Sequence, residues 1–468
     1  SETHFCLVFG LLILLLGLLS LKFTLFEFLM SERLKMIPGF PPFELWLHPK
    51  PTVFCRVYIY TVVNPDAFLN GTDKKLKIKE FGPIIYKEIP KHSDVIFHEN
   101  STMTYTITRT VEFMPELNEP GVLNKTITVP NVVLLGMVTR VNDYSYSVKF
   151  GFNMISKKDP VFINTTVYNY LWNLSTPALE TVKTYLPFMV PQDNGGLMHN
   201  IYESFVDRVN VRMGSKYGFD QFFMIDTFNY RPTAPGYYPE RGDCYASIQN
   251  STEGAQYASF MTKESVPLYW RKTVCRAVPL YYEQEVQKGP LKAYKYITGP
   301  GLYDRIENAT ADCYRGKGEK DLPSGLSDVS RCYDVAVSAP HFYGRSGYWE
   351  DQIEGFSPSA EKHGSFAIIE PTTGVPLEQK ARSQSNMIMP KLRNYNAHVN
   401  KFSELVVPML WMEYHQEKLT LEITALVVFT VHVIPYLQYV ISVIIILSGM
   451  FCIRRGVRRL TSGLSSTA

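Results

Sequence analysis

The sequence predicts a mixed α+β protein: a large, mainly antiparallel, strand-rich ectodomain, interrupted by helices and held between two transmembrane helices. Three observations lead there. Charge-free apolar runs stand near both ends of the 468-residue chain. Segments of alternating, β-branched and aromatic character are scattered between them, which suits one antiparallel domain better than repeated βαβ units. The stretch 132–212 changes to helical spacing.

The first run, "FCLVFGLLILLLGLLSL", extends from Phe5 to Leu21 without a charge until Lys22. At 1.5 Å per residue, about 20 helical residues cross a hydrocarbon core of roughly 30 Å. The following "LKFTLFEFLMSERLKM" offers no small-residue cleavage site, so the run reads as a retained anchor over 5–30 behind a short stub at 1–4.

Strands follow. "VFCRVYIYTVV" at 53–63 is β-branched and aromatic. In 93–113, Met103, Tyr105 and Ile107 alternate, and "HENS" reads as a hairpin turn. "LKAYKYIT" at 291–298 alternates too, and "SFAIIEPTTGVPLEQKARSQSNMIM" reads as two strands about a turn at 371–374. Between these, Val167, Tyr170, Leu171 and Leu174 follow helical spacing, as do Leu197, Ile201, Phe205 and Val209. A helical insertion over 132–212 is expected, interrupted at Pro160, Pro177 and Pro187.

Apolar residues resume at Ile423 and run charge-free from Leu437 to Ile453, giving a second span over 423–453. Arg454, Arg455, Arg458 and Arg459 then mark the tail 454–468 as cytoplasmic by the positive-inside rule. The block 31–422 carries seven glycosylation sequons, at Asn70, Asn100, Asn124, Asn164, Asn173, Asn250 and Asn308. None lies outside it, which places the block on the extracellular or lumenal side and both termini in the cytoplasm. Setting aside Glu2 and the four tail arginines leaves 43 basic and 43 acidic residues, a balance that does not point to nucleic acid.

Cys6 and Cys452 fall in or beside the apolar runs. Cys244, Cys275, Cys313 and Cys332 cluster, and in an oxidising compartment they are expected to pair, with three connectivities open. Cys55 stands apart and reads as a buried free thiol. No G-x-S-x-G elbow, H-E-x-x-H, C-x-x-C or Walker loop occurs, and the ten histidines lack metal-ligand spacing. Neither an enzyme nor a cofactor is indicated. The "RGD" at 241–243 reads as a chance match, and Asp304 with Glu307 as solvated surface.

Longer stretches carry a resemblance. "LWLHPKPTVFCRVYIYTVVNPDAFLNG" and "EFGPIIYKE" are similar to the N-terminal signature of the class B scavenger receptor family. "ITVPNVV", "YLWN", "FFMIDTF", "VCRAV", "SAPHFYG", "IEPTTGVPLEQKARSQSN" and "VVPMLWMEY" resemble its later blocks, in order. The resemblance implies an irregular antiparallel β-barrel core, a helical bundle at the membrane-distal apex and an internal hydrophobic tunnel. It implies Cys244–Cys313 and Cys275–Cys332 as bridges. It also implies ligand contact in "KFGFNMISKKDP", through Lys149, Phe152, Lys157 and Lys158. The implied function is a plasma-membrane receptor for fatty acids, phospholipids, sterols or lipoproteins that passes lipid to the bilayer. A lysosomal or endosomal sorting receptor binding a protein at the apex, a chemosensory co-receptor and a homo-oligomer remain open alternatives.

Overall fold

The computed structural model describes residues 2–22, 25–50, 52–185, 194–203, 205–299, 301–307, 312–316, 321–347 and 349–465. The backbone of the ectodomain is one large sheet that curls almost into a barrel. Along its hydrogen-bonded path, Ile225–Phe228 lies beside Val206–Arg212, then Thr102–Phe113, Leu76–His98, Val53–Val62 and Val406–Gln416. The path continues through Val375–Ile388, Phe366–Glu370, Leu291–Thr298, Arg276–Lys288, Leu268–Arg271 and Ser251–Thr252. Neighbours along it are antiparallel until the short final pair, which is parallel. The two ends then meet, the Asn250 N–H donating to the Ile225 carbonyl at 3.1 Å. Near-closure of this kind leaves few strand edges unpaired.

The alternation anticipated for 93–113 has its physical basis here: Met103, Tyr105 and Ile107 point inward and are buried. The turn at 371–374 joins two paired strands, and Gly374 has φ +70° with a would-be Cβ only 2.2 Å from the Ala258 carbonyl oxygen. Only glycine fits that close approach.

Val53–Val62 sits mid-sheet, with Val53 opposite Gln416 and Ile59 opposite Leu410. The first ectodomain strand therefore begins where the last one ends, and both leads to the apolar helices leave one end of the barrel. The N-terminal helix Glu2–Lys22 packs along Ile434–Ser465. Gly10, Gly17, Gly449 and Gly456 allow the close approach: a Cβ at Gly17 would lie 2.6 Å from Ile446 Cγ1, and one at Gly449 2.6 Å from the Leu14 nitrogen. The Ser20 and Ser442 hydroxyls share a hydrogen bond of 2.7 Å across the pair. Phe5–Lys22 and Leu421–Arg459 are both long and apolar enough to cross a membrane.

At the other end of the barrel, helices Val132–Val141, Tyr146–Ile155, Val167–Trp172, Pro177–Tyr185 and Leu197–Tyr202 form a cap. The Asn131 side chain caps the first by accepting from the Leu134 N–H, and Thr166 caps the third through the Asn169 N–H. Val167, Tyr170, Leu171 and Leu174 are buried in one core with Val57, Leu410 and Met412 of the barrel. The helical reading of Leu197, Ile201, Phe205 and Val209 holds only for its first half. Val206–Arg212 is a strand, because pairing with Thr102–Phe113 outweighs a helical spacing carried by four residues. Pro177 opens a helix rather than breaking one, since a first-turn proline forfeits no intrahelical hydrogen bond. Pro187 lies outside the described residues.

Disulfides join Cys244 to Cys313 and Cys275 to Cys332, with Cα separations of 5.3 and 6.2 Å. Cys55 is buried and unpaired.

Candidate functional site

Two large cavities stand out among the described residues of the ectodomain. The lower one, about 760 Å³, lies within the barrel and reaches the seam where the juxtamembrane segments meet it. Met30, Leu419, Ile423, Leu426 and Ile434 line that seam, so its walls pass into the start of the C-terminal membrane helix. There the helix widens to a π turn over Phe429–Val433. Pro435 explains the irregularity, because it offers no N–H to the carbonyl one turn earlier. The upper cavity, about 1480 Å³, lies under the helical cap between Val133, Met137, Leu179 and Ile201 and the barrel residues Met387 and Met412. Thr273 lines both cavities and marks where they adjoin.

A belt of buried charge stands in the lower cavity's lining, within two residues of that junction in the case of Arg271. The Glu88 carboxylate accepts from Arg109 Nη1 at 3.2 Å, Arg271 Nη1 at 3.2 Å, Arg271 Nη2 at 2.6 Å and the Tyr202 hydroxyl at 2.8 Å. Glu253 accepts from Arg109 Nη2 at 3.1 Å and from the Tyr105 hydroxyl at 2.9 Å. The Arg271 guanidinium lies 3.6 Å from the centroid of the Tyr414 ring. Burial alone raises a carboxyl pKa; the two guanidinium groups overcome it and hold Glu88 at about 2. Two carboxylates thus balance two arginines in an apolar wall. Cys55 borders this belt, and burial, reinforced by the Glu88 charge, pushes its thiol up to about 12, which makes it an unreactive core residue.

Glu80, His341 and His363 form a second cluster, their ligand atoms within 4.8 Å of one another. The hydrogen bonds disfavour an ion there. His341 Nδ1 accepts from the Ser357 N–H at 3.1 Å and His363 Nδ1 from the Ser359 N–H at 3.0 Å. Each neutral ring must then carry its proton on Nε2, where His341 meets Glu80 at 2.8 Å. A histidine ligating through Nε2 would need a proton on Nδ1, facing an acceptor instead.

The residues singled out from sequence are placed unevenly. Lys157 and Lys158 are exposed on the cap, and Lys149 is half-buried, its ammonium 6.0 Å from the centroid of the Tyr395 ring. Phe152 is a correction: it is 6% exposed and packed in the core, because it lies on the inner face of helix Tyr146–Ile155. The outer face instead presents Tyr146, Phe150 and Met154, spaced by four and 67%, 55% and 66% exposed. Asn70, Asn100, Asn124, Asn164, Asn173 and Asn250 are exposed, and Asn308 lies outside the described residues. Within the "RGD" tripeptide, Asp243 is tied to Arg331 at 2.7 Å and to the Tyr238 N–H at 3.0 Å, so its carboxylate is engaged within the fold. Asp304 is not free surface either, since it pairs with Arg345.

The charged belt was missed, although a signal existed. Arg109 continues the phase of Met103, Tyr105 and Ile107, and Glu88 that of Ile84 and Tyr86. A charge in phase with buried apolar residues points inward, where it needs a partner.

Residues 5–458 match the CD36 family, nearly the whole chain including both apolar helices. The chain belongs to the CD36 family. Among curated relatives of this CD36-family chain, rat scavenger receptor class B member 1 is 26% identical over 87% of the chain and 79% of its own length. Protein peste of Drosophila melanogaster is 26% identical over 97% and 82%. Mouse lysosome membrane protein 2 is 24% identical over 80% and 77%.

Proposed function

We propose that this chain is a two-anchor receptor that captures lipid at its distal helical cap and passes it, chain extended, through the two cavities to the membrane. The observation that carries this reading is the lower cavity, whose walls run from the barrel interior to Ile423, Leu426 and Ile434 beside the membrane helix. Each methylene kept from water is worth about 0.8 kcal/mol, so an enclosed apolar route lowers the barrier to moving an acyl chain. Antiparallel pairing of Val53 with Gln416 suits the same task, because it holds both anchors under the cavity mouth. Capture is assigned to the ridge of Tyr146, Phe150 and Met154 with Lys157 and Lys158, an apolar surface with positive charge at its edge that matches an anionic lipid surface.

The test is Thr273→Trp, which puts a bulky side chain where the cavities adjoin. Cells displaying it should bind labelled lipid particles as wild type does and lose transfer of the labelled lipid. Transfer at the wild-type rate, with the variant at normal surface level, refutes the conduit. Capture by the same ridge of a protein partner without any lipid transfer would favour the sorting-receptor alternative.

A further inference from the structure

The membrane-side mouth of the lower cavity contains a cation of a different kind from those in the belt. Arg33 ends the helix Leu25–Arg33 and lines the cavity together with Met30 and the C-terminal juxtamembrane residues Ile423 and Leu426. Its guanidinium donates through Nη1 to the Thr373 carbonyl at 2.5 Å and through Nη2 to Gln256 Oε1 at 2.5 Å. Both acceptors are neutral, and no carboxylate lies within ion-pair distance of Arg33 among the described residues. The nearby Glu370 is occupied by the 371–374 turn, accepting from the Thr372 N–H, the Thr373 N–H and the Thr373 hydroxyl. Burial pushes the Arg33 pKa down to about 10, against the field of Glu370, and the group still carries its charge at neutral pH.

The carboxylates lining this cavity are Glu88 and Glu253, both committed to the belt, whereas Arg33, Arg109, Arg271, Lys380 and Arg382 line it as cations. Arg382 is paired outward with Glu413. The positive excess therefore falls on Arg33 and Lys380, and of these Arg33 is the one on the helix that leads from the N-terminal anchor. A half-buried guanidinium held by neutral acceptors keeps donors for an oxyanion and is not neutralised until one arrives. Apolar residues from both juxtamembrane segments line the same cavity, which offers a place for a tail beside a charged head, and the cavity volume of about 760 Å³ lies in the usual range of small-ligand sites.

We infer that Arg33 is a headgroup station at the membrane-side mouth, binding a single-chain amphiphile through its anionic oxygens, carboxylate or phosphate, before release to the bilayer. The inference rests on the conduit reading for its place in the sequence of events, and its binding step is tested separately. Purified full-length protein in detergent is titrated with radiolabelled oleate, oleyl phosphate and oleyl alcohol. Wild type should hold the two anions about tenfold more tightly than the alcohol, as expected for charge-assisted hydrogen bonds. Arg33→Gln should bring one or both anions down to the level of the alcohol while leaving the alcohol unchanged. Loss for oleate alone would assign a carboxylate site, and loss for both a general oxyanion site. Arg33→Lys should retain most of the preference, and Lys380→Gln all of it. Equal loss for all three probes would reduce Arg33 to a structural role, and no preference in wild type, or its loss in Lys380→Gln instead, would overturn the inference. Thr273→Trp keeps the two readings apart: unchanged lipid transfer in that variant sinks the conduit without touching the Arg33 titration, and an Arg33→Gln protein that still prefers the anions sinks the station without touching the conduit.

Discussion

Replacing Glu88 by Gln removes one of two negative charges from the belt and leaves its shape. Wild type sets Glu88 and Glu253 against Arg109 and Arg271; the variant leaves a net positive charge in a buried wall. The geometry adds to the loss. Wild-type Glu88 accepts hydrogen bonds at both oxygens, and an amide must turn its N–H₂ toward an Arg271 donor in either orientation, joined by Arg109 on the Oε1 side or by the Tyr202 hydroxyl on the Oε2 side. Breaking a buried pair by removing one partner costs about 3–5 kcal/mol. For an ectodomain of roughly 390 residues, with an unfolding entropy of about 2.1 cal/mol/K per residue, that lowers Tm by about 4–6 °C. The assay is thermal unfolding of the purified protein, followed by tryptophan fluorescence. A second substitution checks the cause. Glu88→Gln with Arg271→Met restores the charge balance, leaving Arg109 with Glu253, and should recover at least half of the lost Tm. A single variant within about 1 °C of wild type, or a double variant less stable than the single one, would refute the account of the belt as a charge-balanced unit.

Four further outcomes are expected. His92 and His363 are both pushed down to about 4, chiefly by burial, and are neutral in the fold. The unfolded chain takes up protons below about 6.5, so their stabilisation is complete above that pH and is lost as pH falls toward 4. Tm should drop between pH 7 and 4.5, less so in a His92→Gln, His363→Gln variant; Glu88, at about 2 when folded, loses its contribution only below about 4.5 and lies outside this window. In the membrane pair, Ser20→Cys with Ser442→Cys should cross-link spontaneously, and adding Gly17→Leu should abolish the cross-link, since overpacking costs about 1–3 kcal/mol. On the cap, Lys157→Glu with Lys158→Glu should weaken capture of anionic liposomes mainly at low salt, because exposed charges are screened within about 8–10 Å in physiological buffer. Phe150→Ser should weaken it at every salt concentration.

Local chemistry was legible in the amino-acid order. Membrane runs announce themselves because about 20 successive residues must all be apolar, and strands such as Thr102–Phe113 because their inward positions repeat every second residue. The sequons are local patterns, and six of their asparagines lie on the surface. Helix Tyr146–Ile155 shows the limit: its residues declare a helix, but only packing decides that Phe152 faces the core while Phe150 and Met154 face outward. Phe205 and Val209 show another, since a spacing of four carried into a strand once a partner strand was available. The cavities and their charges belong wholly to the tertiary structure. Glu88, Arg109, Glu253 and Arg271 come from four separate segments, and Arg33 meets Thr373 across 340 positions of chain. Sequence alone could show that Arg109 and Glu88 point inward; it could not show that they meet, because the meeting is set by barrel closure and strand register rather than by any neighbour along the chain.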